Sequence, residues 1–139
     1  MFRTHKCMLK RRERYIMKRL PDAEFSVMQS VWHSNIPVST AEIKLYLDMK
    51  KEWNMSALQT VLSRLEEKGF VKSEKKGRNR FYTPLVSEEE YLIAEGESFA
   101  ERIGTKSVPA LVAAMFGGRK ISPAEEKELM EFISKNRKE

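Results

Sequence analysis

Apolar side chains return at helical spacing in six stretches of this chain. In PDAEFSVMQSVWHS (21–34), Phe25, Met28, Val31 and Trp32 share one face, and Pro21 suits a helix start. Their expected role is core. Asn35-Ile36-Pro37 breaks the pattern. STAEIKLYLDMK (39–50) begins with Ser39 and Glu42, spaced as a capping box, and Ile43, Tyr46 and Leu47 form its apolar face. Val38, just before the cap, is either a short strand or a staple. NMSALQTVLSRLEEKGF (54–70) is the clearest helix. Leu58, Val61, Leu62 and Leu65 fall at i, i+3, i+4 and i+7, and Gly69 supplies the stop. Its opposite face carries Ser56, Gln59, Thr60 and Ser63, where an ordinary solvated helix is richer in Lys and Glu.

The period then changes. KSEKKGRNRFYTP (72–84) reads as a hairpin, with Val71 to Glu74 as one strand, Lys76-Gly77 at the turn and Phe81 to Thr83 as the return. One of Phe81 and Tyr82 is expected in the core and the other reaches outward. The cations Lys72, Lys75, Lys76, Arg78 and Arg80 surround the tip.

Three further helices follow. In SEEEYLIAEGESFAERIG (87–104), Ser87 and Glu90 repeat the capping box, and three glutamates suit the positive helix end. Leu92, Phe99 and Ile103 make a thin seam. VPALVAAMFGG (108–118) is a short apolar helix containing Leu111, Val112, Met115 and Phe116, stopped by two glycines. SPAEEKELMEFISKNRK (122–138) has Ser122 as cap, Pro123 at the first helical position and Glu125 closing the box. Leu129, Phe132 and Ile133 face inward. No internal repeat or low-complexity segment is present.

Three helices, a basic hairpin and three helices make a mainly α chain with a small β-wing. The outline is a winged helix-turn-helix over residues 21–86, followed by a helical dimerisation domain over 87–139. The apolar faces of 21–86 are read as complete without the tail. The third helix is expected in the major groove of DNA and the hairpin on its backbone. Three short helices in 53 residues bury little alone, so their seams suit a face completed by a second copy. Residues 1–20 are either a basic arm or a misassigned start, with translation beginning at Met8 or Met17.

Charge sharpens this outline. Residues 1–20 hold eight Lys or Arg against one Glu, net +7; residues 21–86 hold ten against eight acids, net +2; residues 87–139 hold eight against eleven, net −3. A polyanion partner is therefore expected at one end of the chain and not at the other. The other totals exclude more than they suggest. Cys7 is the only cysteine, so no internal disulfide forms. His5 and Cys7 are two potential ligands and make no zinc set, and neither metal nor cofactor is expected. No apolar run reaches spanning length and no leader core is visible, so the expected location is the cytoplasm, without membrane insertion. No histidine pairs with a nucleophile, and Gly77 and Gly117-Gly118 make no phosphate-binding loop, so an enzyme is not expected. The rivals are a winged-helix protein–protein module and a non-specific nucleic-acid binder.

The residues AEFSVMQSVW, VSTAEI, ALQTVLSRLEEKGFVK, NRFYTPLVSEEEY and ALVAAMF…SPAEEKEL resemble the BlaI/MecI-type penicillinase repressors, covering roughly residues 21–135 in order. The resemblance implies a homodimeric transcriptional repressor on a palindromic, inverted-repeat operator. It places Ser56, Ala57, Gln59 and Thr60 against base edges. Ser63, Arg64, Lys75, Lys76, Arg78 and Arg80 then take phosphates. The dimer seam would include Leu92, Phe99, Ile103, Leu111, Val112, Met115, Phe116, Leu129, Phe132 and Ile133. Some members are inactivated when a membrane sensor protease triggers cleavage in the C-terminal domain, and the corresponding point here lies near Ala114-Met115. The Asn-Phe pair of the best-known cleaved members is absent there, and so is the cysteine-rich tail of the copper-responsive ones.

The chemistry of the assigned residues suits these roles. Gln59 can bridge an adenine edge with two hydrogen bonds, and Thr60 can bond a base or phosphate or touch a thymine methyl. Ser56 reads a base, caps the helix or takes a phosphate; Ala57 touches a thymine methyl or packs. The segment 108–118 is either the point where induction cuts the chain or simply dimer core.

Overall fold

The computed structural model describes residues 19–104 and 107–137. The basic arm up to Lys18, with His5, Cys7, Met8 and Met17, lies outside the described residues. Two compact units emerge, one running to Ser98 and the other from Phe99.

The first unit opens with α1 (Asp22–Trp32), β1 (Val38–Ser39), α2 (Thr40–Asp48) and α3 (Met55–Glu67), and continues into β2 (Val71–Lys76), β3 (Asn79–Pro84) and the start of α4 (Glu88–Ile103). Each boundary has a local cause. Ser39 accepts from the Glu42 N–H and Glu42 answers at the Ser39 N–H, so the expected capping box closes α2. Asn54 caps α3 by accepting from the Ala57 N–H at 3.2 Å. Gly69, at φ +82°, takes the left-handed turn that ends α3, which a side chain would resist.

The sheet is antiparallel with strand order β1-β3-β2. Val38 is a strand residue, paired with Tyr82. The wing is longer than the sequence pattern predicts, because the ladder continues through Lys75 opposite Arg80 and Lys76 opposite Asn79. Its tip is therefore Gly77-Arg78, one residue later than expected. Gly77 sits at φ +65° while Arg78 keeps a negative φ, as a two-residue hairpin loop of type II′ requires.

The core follows the predicted stripes. Val27, Met28 and Val31 of α1, Ile43 and Leu47 of α2, and Leu58, Val61, Leu62 and Leu65 of α3 are buried together with Val38, Val71 and Tyr82. Of the adjacent aromatics, Tyr82 turns inward and Phe81 stays half-buried. Phe25 and Trp32 flank the core only partly covered. The buried Glu24 on α1 is paired with Lys68 at the end of α3, which offsets the cost of removing its carboxylate from water.

One departure from the expected organisation matters. Tyr91, on the second turn of α4, is 1% exposed and belongs to the core of the first unit. Its ring centroid lies 5.6 Å from Phe25, 5.7 Å from Trp32 and 5.9 Å from Phe70. The Leu20 N–H donates to its hydroxyl at 2.8 Å, the Trp32 Nε1–H donates to the Val86 carbonyl, and Glu88 meets His33 Nε2 at 3.0 Å. The faces of residues 21–86 are thus not complete by themselves. The aromatic surface of Phe25, Trp32 and Phe70 needs Tyr91 over it, because a ring of that size covers about 150–250 Å².

The second unit holds the end of α4, α5 (Val108–Phe116) and α6 (Pro123–Lys135). Ser107 accepts from the Ala110 N–H and Ser122 from the Glu125 N–H, so both helices are capped. Neither helix has a buried residue. Leu111, Val112, Phe116 and Leu129 are half-buried, while Met115 is 72% and Ile133 52% exposed. Phe132, expected to face inward, is exposed as well.

Candidate nucleic-acid interface

The outward face of α3 is set by its inward one. Leu58, Val61, Leu62 and Leu65 are pulled into the core, which leaves Ser56, Ala57, Gln59, Thr60, Ser63 and Arg64 exposed. No acidic residue lies on the first turn of the helix, so its positive end is not neutralised by its own side chains. Asn54 is the cap, which releases Ser56 from that role. The Thr60 hydroxyl donates to the Ser56 carbonyl at 3.1 Å. Its proton is therefore spent, and what Thr60 presents outward is a methyl group and oxygen lone pairs.

The turn that presents α3 is held by a residue that the sequence reading passed over. Asp48, the last residue of α2, accepts from Lys44 Nζ at 2.6 Å and from the Trp53 N–H at 2.8 Å. The Lys44 hydrogen bond, followed by the Trp53 N–H, holds the Asp48 carboxyl below the usual carboxylate range. The spacing of Lys44 and Asp48, one helical turn apart, was the available signal.

The wing presents Lys75, Lys76, Arg78 and Arg80, all exposed. In the ladder Ser73, Tyr82, Lys75 and Arg80 fall on one face of the hairpin. Arg80 Nη1 donates to Ser73 Oγ at 2.9 Å, and Ser73 Oγ lies 3.0 Å from both carboxylate oxygens of Glu66 on α3. Thr40, at the start of α2, reaches the Arg80 carbonyl at 3.5 Å. The wing, α3 and α2 are thus tied to one another.

The structure therefore brings the ten expected DNA-facing residues onto the solvent side of two elements that share a core. The first half of α3 offers uncharged donors, acceptors and a methyl, with Arg64 beyond them; the wing offers cations. Among the described residues, no three His, Cys, Asp or Glu groups come together in a metal-binding arrangement. His33 is engaged with Tyr46 at 3.0 Å and with Glu88.

The penicillinase repressor family matches residues 20–135 of this chain. The penicillinase repressor of Bacillus licheniformis is 34% identical over 128 residues, 88% of this chain and 98% of that protein. The methicillin resistance regulatory protein MecI of Staphylococcus aureus (strain N315) is 25% identical over 116 residues, 84% of this chain and 94% of that protein. The solution structure of the DNA-binding domain of the repressor BlaI is 33% identical, covering 54% of this chain and 90% of its own, with a TM-score of 0.48.

Proposed function

This chain belongs to the penicillinase repressor family and is a DNA-binding repressor, and we propose that it acts as a homodimer on an inverted-repeat operator, with α3 in the major groove and the wing on the flanking phosphates. The observation that carries this reading is the uncharged, exposed first half of α3 standing beside a basic wing on a shared core. Base edges need hydrogen-bond and methyl contacts, whereas phosphates need positive charge.

Ser56, Ala57, Gln59 and Thr60 are assigned to the bases. Gln59 supplies a donor and an acceptor on one amide, the pair that fits the N7 and amino group of adenine. Thr60, its proton already given to Ser56, accepts from a base amino group or packs on a thymine methyl. Ser63, Arg64, Lys75, Lys76, Arg78 and Arg80 are assigned to phosphates, where each cation releases condensed counterions.

The second copy is assigned to residues 87–139. Leu92, Phe99, Ile103, Met115, Phe132 and Ile133 are exposed in one chain, and Leu111, Val112, Phe116 and Leu129 are half-buried. A two-fold partner would bury the same seam on both copies and double the DNA footprint. Cleavage at Ala114-Met115, triggered through a membrane sensor protease, would separate the copies and release the operator. Both residues are exposed. The protein would work in the cytoplasm, and among the described residues no helix is long and apolar enough to cross a membrane.

Selection from random duplexes, followed by gel-shift titration, tests the reading. A two-fold symmetric site should emerge. Equal binding to all sequences at moderate salt would overturn operator recognition and leave a non-specific binder.

A further inference from the structure

Arg80 is held by its side chain before any DNA arrives. Its Nη1 donates to Ser73 Oγ at 2.9 Å, and Ser73 Oγ meets Glu66 Oε1 and Oε2 at 3.0 Å each. The roles in this chain of bonds cannot be exchanged. A guanidinium only donates and a carboxylate only accepts, so the single Ser73 proton goes to Glu66 and the Ser73 lone pairs receive Arg80. Ser73 on β2 is set opposite Tyr82, two residues along β3 from Arg80, and this diagonal is within reach of a long side chain.

The interposed hydroxyl has a consequence for DNA. A direct Arg80–Glu66 pair would occupy the fork of the guanidinium and place a carboxylate beside the incoming phosphate. With Ser73 between them, one of the five guanidinium donors is used and the anion stands one group further back. The orientation of Arg80 is settled in advance, which lowers the conformational entropy lost on binding. The same hydroxyl links β2 to the last turn of α3, so wing and reading helix are registered to each other.

We propose that Ser73 is a positioning residue for operator binding: anchored to Glu66 of the reading helix, it holds the Arg80 guanidinium ready for a backbone phosphate. The proposal rests on Arg80 being a phosphate contact, as assigned above.

The test is a double-mutant cycle on the full chain, read by fluorescence anisotropy with the selected operator duplex. In the native background Ser73→Ala should weaken binding about fivefold, the worth of one hydrogen bond. In the Arg80→Ala background the same change should cost less than about twofold, because the residue it positions is gone. Ser73→Thr, which keeps the hydroxyl and suits a strand, should restore near-native affinity. Equal costs of Ser73→Ala in both backgrounds, or no rescue by threonine, would overturn the positioning role. If Arg80→Ala leaves affinity and salt dependence unchanged, the phosphate assignment of Arg80 falls first, and the role of Ser73 with it.

Discussion

Gln59 and Arg78 stand on neighbouring elements, are both exposed, and should fail in different ways. Gln59→Ala removes the amide proposed to distinguish one base pair from another. It should cost about 1–3 kcal/mol per affected contact and relax preference at one base pair per half-site. Arg78→Ala removes a charge at the wing tip. It should weaken all sequences alike and reduce the slope of log K against log salt by about one per half-site. Titrations on the operator and on single-base variants at several salt concentrations separate the two outcomes. Identical behaviour of both variants would cancel the division of labour between α3 and the wing. The Thr60 hydroxyl makes a finer point. Because its proton is bonded to Ser56, Thr60→Val should keep any preference that depends on a thymine methyl and lose one that depends on an acceptor.

Among the elements, α4 is the one whose role the fold redefines. Its second turn supplies Tyr91 to the core of the first unit, and its first turn is bound to His33. A chain ending at Val86 should therefore be less stable than one ending at Ser98 by about 3–5 kcal/mol, the cost of deleting a large buried aromatic. Urea unfolding of the two chains checks this, and equal midpoints would refute it. Tyr91 also leaves a pH signature. Burial, more than any charge near it, pushes its phenol up to about 12, with Glu95 adding to the rise and the Leu20 N–H and Arg19 opposing it. The folded state thus holds this proton more tightly than the unfolded chain, whose tyrosine sits near 10. The stabilisation is complete below about pH 10 and is lost as pH rises toward about 12. In Tyr91→Phe this portion of the alkaline loss should disappear, as read by unfolding midpoints across that window.

For the molecule as a whole, the number of copies acting together sets the strength of operator binding. Phe132 and Ile133 are exposed within one chain, so replacing both with Asp should leave the helices folded and abolish the dimer. Sedimentation velocity should then report a monomer, and operator affinity should fall by about 100-fold or more, since the second half-site contact loses its effective concentration. A dimer that persists would move the interface elsewhere. Release by proteolysis predicts a shortened band on immunoblots of cells exposed to a cell-wall antibiotic, with a cut at Ala114-Met115. An intact band with induced target genes would point to a bound effector.

Local pattern was enough to place α1, α2, α3 and the wing, and to mark the exposed face of α3. Caps and helical stripes are properties of a few neighbouring residues, and Ser39 with Glu42, or Leu58 with Leu62 and Leu65, state them directly. The basic character of the wing was equally legible, since charge needs no partner to be counted. What the folded chain added was every choice made between distant residues. Tyr91 and Leu92 are neighbours in sequence, and nothing in their spacing says which one the core will take. The rings of Phe25, Trp32 and Phe70 select Tyr91, and leave Leu92 exposed. Likewise Glu66, Ser73 and Arg80 are seven residues apart at each step, and only the hairpin's turn back onto α3 makes one hydrogen-bonded chain of them. Periodicity reports which face is apolar, but a contact is fixed by where the chain returns.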